Sequence, residues 1–195
     1  IRNGTFRIAG NRQVYKNIDG HFLFDNNDLI AKELKISINN TRMMMKGYFR
    51  NFIPKMLNKD IPLEIKADLY SDRIVLEDLF VPSTSSSTGG SSALMLPDDI
   101  NANFNLHIGS FSYGRFRASD ISGKLEMHEK KIYAHHIRLS AMDGKVSATG
   151  LLSQTANHHF TVSCNAQLLE LDAGEMFRQF NNFGQTSLLS SNISG

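Results

Sequence analysis

Apolar residues fall on alternate positions in short runs along much of this chain. The runs Leu34-Lys35-Ile36-Ser37-Ile38, Leu63-Glu64-Ile65-Lys66-Ala67-Asp68-Leu69, Phe104-Asn105-Leu106-His107-Ile108 and Phe160-Thr161-Val162-Ser163-Cys164-Asn165-Ala166 all keep a period of two. Successive side chains of a strand point to opposite faces, so this spacing predicts β-strands with one apolar and one wet face. Gly, Asn, Asp and Ser punctuate the runs, as turns require. Burial on one face is the habit of antiparallel sheets. The expected class is therefore all-β, a repeated antiparallel sheet with one or two short helices.

The chain also repeats. A shift of 103 residues carries Ile18-Asp19-Gly20 onto Ile121-Ser122-Gly123 and Gly47 onto Gly150. The same shift pairs Phe22 with Leu125, Phe24 with Met127, Leu34 with Ile137, Ile36 with Leu139 and Met43 with Val146. Alternation breaks at one place in each copy, between Ala31 and Leu34 and between Ala134 and Ile137. One extra residue is the mark of a β-bulge, which bends and twists a strand, so both copies are expected to curve there.

These observations divide the chain into a first β repeat over 1–82, an insertion over 83–96 and a second β repeat over 97–192. A third Ile-x-Gly, at 193–195, is expected to open a further repeat, making the chain a piece of a longer polypeptide. The run from Ser83 to Ala93 is almost entirely Ser, Thr and Gly, too polar to offset the entropy of ordering, and reads as flexible. Asp172-Ala173-Gly174-Glu175 has the spacing of a capping box, and Met176, Phe177, Phe180 and Phe183 follow at helical intervals, so a short helix is expected near 173–183. Its counterpart, Leu76 to Phe80, is cut short by Pro82.

Composition narrows the function. An apolar share of 41 % over 195 residues fills a real core. With 21 basic against 19 acidic side chains, a net charge of +2 leaves no footprint for a nucleic-acid backbone. The single cysteine, Cys164, excludes an internal disulfide and a thiolate metal cage. Its apolar parity predicts a small core residue. No run of 18 uncharged apolar residues exists to cross a membrane as a helix, and any anchor is expected outside the sequence.

Catalytic and metal chemistry find little purchase. His135-His136 and His158-His159 are neighbours that a regular strand sends to opposite faces, and they have no carboxylate or cysteine at ligand spacing. Serines cluster in the insertion without a Gly-x-Ser-x-Gly elbow. Asp98-Asp99 follows Pro97 at a turn, and the glycines recur at repeat spacing rather than as a phosphate loop. No catalytic residue, metal ligand or cofactor is assigned, and the chain is read as non-enzymatic.

The apolar face remains as candidate site. It comprises Phe22, Phe24, Leu34, Ile36, Ile38, Met43, Met45, Phe49, Leu63, Ile65 and Leu69 in the first copy, with Leu125, Met127, Ile137, Leu139, Val146, Leu152, Phe160 and Val162 in the second. These residues fit an ordinary sandwich core. Against that, no long amphipathic helix is present to cover the sheet, and eight Met with thirteen Phe and no Trp suit a deformable apolar lining. Ten to twelve strands at ~4.8 Å each would make a trough on the order of 50 Å long.

The chain resembles the AsmA-like family of bacterial envelope proteins, in particular the C-terminal AsmA-type region of Bacteroidetes-like sequences. The resemblance rests on Ile-x-Gly opening each unit, the run Leu34 to Gly47 continuing into Tyr48-Phe49, the segment Pro62 to Leu69, and Leu169-Glu170-Leu171-Asp172 leading to Phe177 and Phe180. It implies a curved, folded sheet with a taco-like hydrophobic groove, related in logic to those of TamB and chorein-type lipid bridges. It further implies a periplasmic location, an inner-membrane anchor, phospholipid transport in outer-membrane biogenesis, and neighbouring repeats of the same chain as partners. The expected function is a groove for phospholipid acyl chains. The alternative is a closed-core structural or interaction domain of the cell envelope.

Overall fold

The computed structural model describes residues 2–7, 14–57, 60–79, 96–155 and 159–184. Ten strands form one sheet in which spatial order follows chain order. They are β1 (Gly4–Arg7), β2 (Val14–Asp25), β3 (Asp28–Ile38), β4 (Thr41–Arg50), β5 (Leu63–Val75), β6 (Ile100–Tyr113), β7 (Phe116–His128), β8 (Lys131–Ala141), β9 (Gly144–Gln154) and β10 (Phe160–Leu169). Short helices α1 (Phe52–Met56), α2 (Leu76–Leu79) and α3 (Ala173–Gln179) follow β4, β5 and β10.

Five hairpins close with only two residues between strands, at Asn26-Asn27, Asn39-Asn40, Gly114-Arg115, Glu129-Lys130 and Met142-Asp143. The first residue of each turn has φ between 50° and 55°, the left-handed region in which Asn and Gly are at least cost. The repeat is visible in the strands themselves. The 103-residue shift lays β3 on β8 from end to end and brings β2 and β4 within one residue of the bounds of β7 and β9. Pairing slips between Ala31 and Leu34 and between Ala134 and Ile137, where the extra residues were read from the broken alternation.

Two expectations about the sheet are corrected. It is not wholly antiparallel, because β5 and β6 pair in parallel and so join the two meanders. Nor does the sheet fold into a taco-like groove: it is mostly β, mixed, and neither closed nor strongly curled. The physical reason lies in where the bulges are. Register slips occur in the pairs flanking the centre, whereas β5–β6 and β6–β7 run without one. Bulges bend the strands that carry them, so an unbulged middle holds the two halves apart instead of folding one toward the other.

Packing on the sheet is concentrated in two patches. Leu29, Ala31 and Phe49 are buried with Phe22, Leu34, Leu63, Ile65 and Phe52 of α1 around them. Ile74, Leu106, Ile108, Ala118, Ile121, Ala141 and Met142 form the second patch, over which lie Leu79 of α2 and Leu171 and Met176 at α3. Asp172 caps α3, its carboxylate accepting the Glu175 N–H at 2.6 Å. Of the expected 83–96 insertion only Leu96 is described; it is buried and donates its N–H to Gln154 Oε1 at 2.9 Å. The rest of that insertion and the Ile-x-Gly at 193–195 lie outside the described residues.

Candidate functional site

Pairing register aligns the apolar positions of successive strands. One unbroken row crosses nine strands as Phe24, Leu29, Phe49, Ile65, Ala102, Met127, Ile132, Leu152 and Val162. The next row is Phe22, Ala31, Gly47, Ala67, Phe104, Leu125, Ala134, Gly150 and Cys164. A third contains Leu34, Met45, Leu69 and Leu106, and resumes beyond the bulge with Ile137, Ala148 and Ala166. Because a sheet sends alternate residues to one face, these rows make a single apolar surface, about 38 Å across nine strands at ~4.8 Å spacing.

The nineteen residues singled out from the sequence belong to this surface by strand parity, through both bulges. Only Ile38 and Phe49 among them are buried; Phe24 and Val162 are 62 % and 69 % exposed, and the others are half-buried. A sandwich would bury most of them under a second sheet, but the described strands all belong to one. Sequence reasoning left out Leu29, Ala102, Phe104, Leu106, Ile132 and the small residues of the second row; alternation marks the small ones only weakly, whereas the alternating run from Phe104 to Ile108 was a signal for Phe104 and Leu106.

The opposite face is polar and tied by ladders of side chains. Asn105 donates to Asp68 at 2.7 Å, Tyr70 stacks on His107 at 4.8 Å, and the Lys46 ammonium lies 5.8 Å from the Tyr70 ring centre. His128, Tyr133 and His135 stack in turn, with His135 Nε2 3.4 Å from the Glu126 carboxylate. His136 falls in the bulge at φ 50° and is exposed. Among the described residues no three His, Cys, Asp or Glu side chains converge in a group able to hold a metal ion.

Polar groups at the ends of the strands hold the surface in shape. Asp28 accepts from the Tyr48 hydroxyl and from the Asn51 N–H, and these two hydrogen bonds, the hydroxyl first, hold its carboxyl below the usual range. Thr41, fully buried, uses its hydroxyl to accept from the Val75 N–H at 2.9 Å and to donate to the Val75 carbonyl at 3.2 Å. At α3, Gln179 accepts the Arg117 N–H at 3.0 Å and donates to Glu175 at 2.8 Å. Arg178 and then Gln179 pull the Glu175 carboxyl down to about 2.

One residue is placed otherwise than expected. Cys164, read as a small core residue, is exposed, because β10 is the last strand of the sheet and has no neighbouring strand on its far side among the described residues. No helix among the described residues is long and apolar enough to cross a membrane. Comparison of the chain with protein-family models, with curated proteins and with solved structures finds no match.

Proposed function

We propose that this chain is a non-catalytic module of the cell envelope whose apolar sheet face carries phospholipid acyl chains. The observation that supports the reading is the row of nine apolar residues from Phe24 to Val162, unbroken across nine strands, in which only Leu29, Phe49 and Ala102 are buried. Acyl chains laid across the rows remove both their own surface and the sheet's from water, at about 0.8 kcal/mol per CH₂. Attraction of this kind has no preferred position along a row, so a lipid is held without being fixed, which suits passage along a surface. The resemblance to AsmA-like proteins supports the envelope setting and an anchor supplied by another segment.

The test is native mass spectrometry with lipid extraction on the chain expressed in a bacterial host without detergent. Bound phospholipid is expected, and Met127→Asp with Leu152→Asp should remove it, while Lys124→Asp on the polar face leaves it in place. Circular dichroism shows whether the variants keep their strands. A lipid-free wild-type mass, unchanged after incubation with phospholipid vesicles, would overturn the proposal.

A further inference from the structure

The two outer strands of the sheet differ sharply: β1 has four residues and β10 has ten. From Phe160 to Leu169, β10 contains no charged residue and no proline, the usual devices that keep an edge from pairing. The internal repeat identifies what belongs there. β10 stands beside β9 as β5 stands beside β4, since Cys164 pairs with Gly150 as Ala67 pairs with Gly47, and the two glycines are repeat equivalents. A short helix follows each, α2 after β5 and α3 after β10. The far side of β5 is occupied by β6, in parallel, over twelve register pairs.

The accessibility of equivalent residues measures the difference. Ala67 is 4 % exposed and its counterpart Cys164 is open to solvent; Ser71 is 8 % exposed and its counterpart Leu168 is 55 % exposed. We infer that β10 is an acceptor edge for one further strand, entering in parallel and supplied by another five-strand unit of the kind that β6 opens. The β5–β6 junction sets its chemistry and register: an extended segment with apolar residues at alternate positions, the residue in the place of Phe104 lying opposite Cys164.

The probe is a synthetic peptide with the sequence of β6, residues 100–113, added to the full chain. Three versions carry one cysteine each, in place of Ala102, Phe104 or Leu106, and are equilibrated with the chain in a glutathione buffer. Cys164 is the chain's only thiol. A disulfide needs Cα atoms within about 7 Å, which directly opposed residues satisfy and residues two positions away do not. The Phe104→Cys peptide should therefore couple on the order of tenfold more than the other two. Without a cysteine, the peptide should slow amide hydrogen exchange across 160–169 in the Cys164→Ser chain. Equal coupling of all three peptides, or no slowing of exchange, would overturn the inference. So would a chain that dimerises alone with β10 protected, because the occupant would then be a second copy.

Discussion

Gly47 and Gly150 occupy the same position in the two repeats, yet alanine should be tolerated at only one of them. Neither has a φ in the left-handed region, so an L side chain fits the backbone at both and space decides the outcome. A Cβ at Gly47 would lie 2.3 Å from the Lys66 carbonyl oxygen and 2.5 Å from the Ala67 Cβ, atoms of a strand fixed between two neighbours. Backbone cannot swing aside as the tip of a side chain can. At Gly150 the nearest atom is the Ser163 carbonyl oxygen at 3.2 Å, and among the described residues no strand stands behind β10 to stop a small outward shift. Replacing glycine within a strand recovers about 0.5–1 kcal/mol by reducing the entropy of the unfolded chain. Overpacking against backbone costs about 1–3 kcal/mol. Gly47→Ala should therefore lose about 1–2 kcal/mol, and Gly150→Ala should be neutral or slightly stabilising. Urea unfolding followed by circular dichroism measures the difference, which also corresponds to a Tm gap of about 2–8 °C for a chain of this length. Equal losses at both positions would refute the argument that the β4–β5 contact, rather than glycine itself, sets the requirement.

Thr41→Val removes the hydroxyl that serves both the N–H and the carbonyl of Val75, and should cost about 1–3 kcal/mol in urea unfolding, whereas Thr41→Ser keeps most of the stability. Glu129 opens a two-residue turn at φ 50°, so Glu129→Asn should raise stability by up to about 1 kcal/mol in the same assay. The lowered pKa of Glu175 stabilises the docked α3 above the ordinary glutamate value of 4.5, and the contribution should fade as pH drops toward 2. An NMR titration of the Glu175 carboxyl and of the Arg117 amide should show that midpoint, and Glu175→Gln should abolish the amide's response; a midpoint near 4.5 would refute the assignment.

Much of this architecture was legible because alternation is a local property. The bulges at Ala31/Leu34 and Ala134/Ile137 show in the sequence as a step of three where two is the rule, and the two-residue turns show as Asn-Asn or Gly-Arg between runs. Met142-Asp143 shows through the Asp-Gly step into Gly144. Glu129-Lys130 carries no such turn signal; the repeat, which sets it on Asn26-Asn27, is what locates it. The parallel β5–β6 junction was not legible, since Leu63–Leu69 and Phe104–Ile108 alternate in the same way whichever direction they run. Curvature escaped for a related reason: it depends on how bulges are distributed over all the pairs, and the unbulged centre is a property of register rather than of any run. The apolar membership of Phe24, Met127 and Val162 followed from parity. The exposure of Cys164 did not, because being an edge strand is decided by what lies beyond it.

The parallel junction also governs how the chain finds this structure. Hairpins with two-residue turns bring together residues close in sequence, so each meander assembles from contacts that are cheap in loop entropy and form on fast timescales. Only β5 and β6 must meet across 37 residues, the separation of every register pair from Leu63–Ile100 to Val75–Ser112. The two meanders are therefore expected to form first, and the step that joins them to set the folding rate, which stopped-flow refolding would measure.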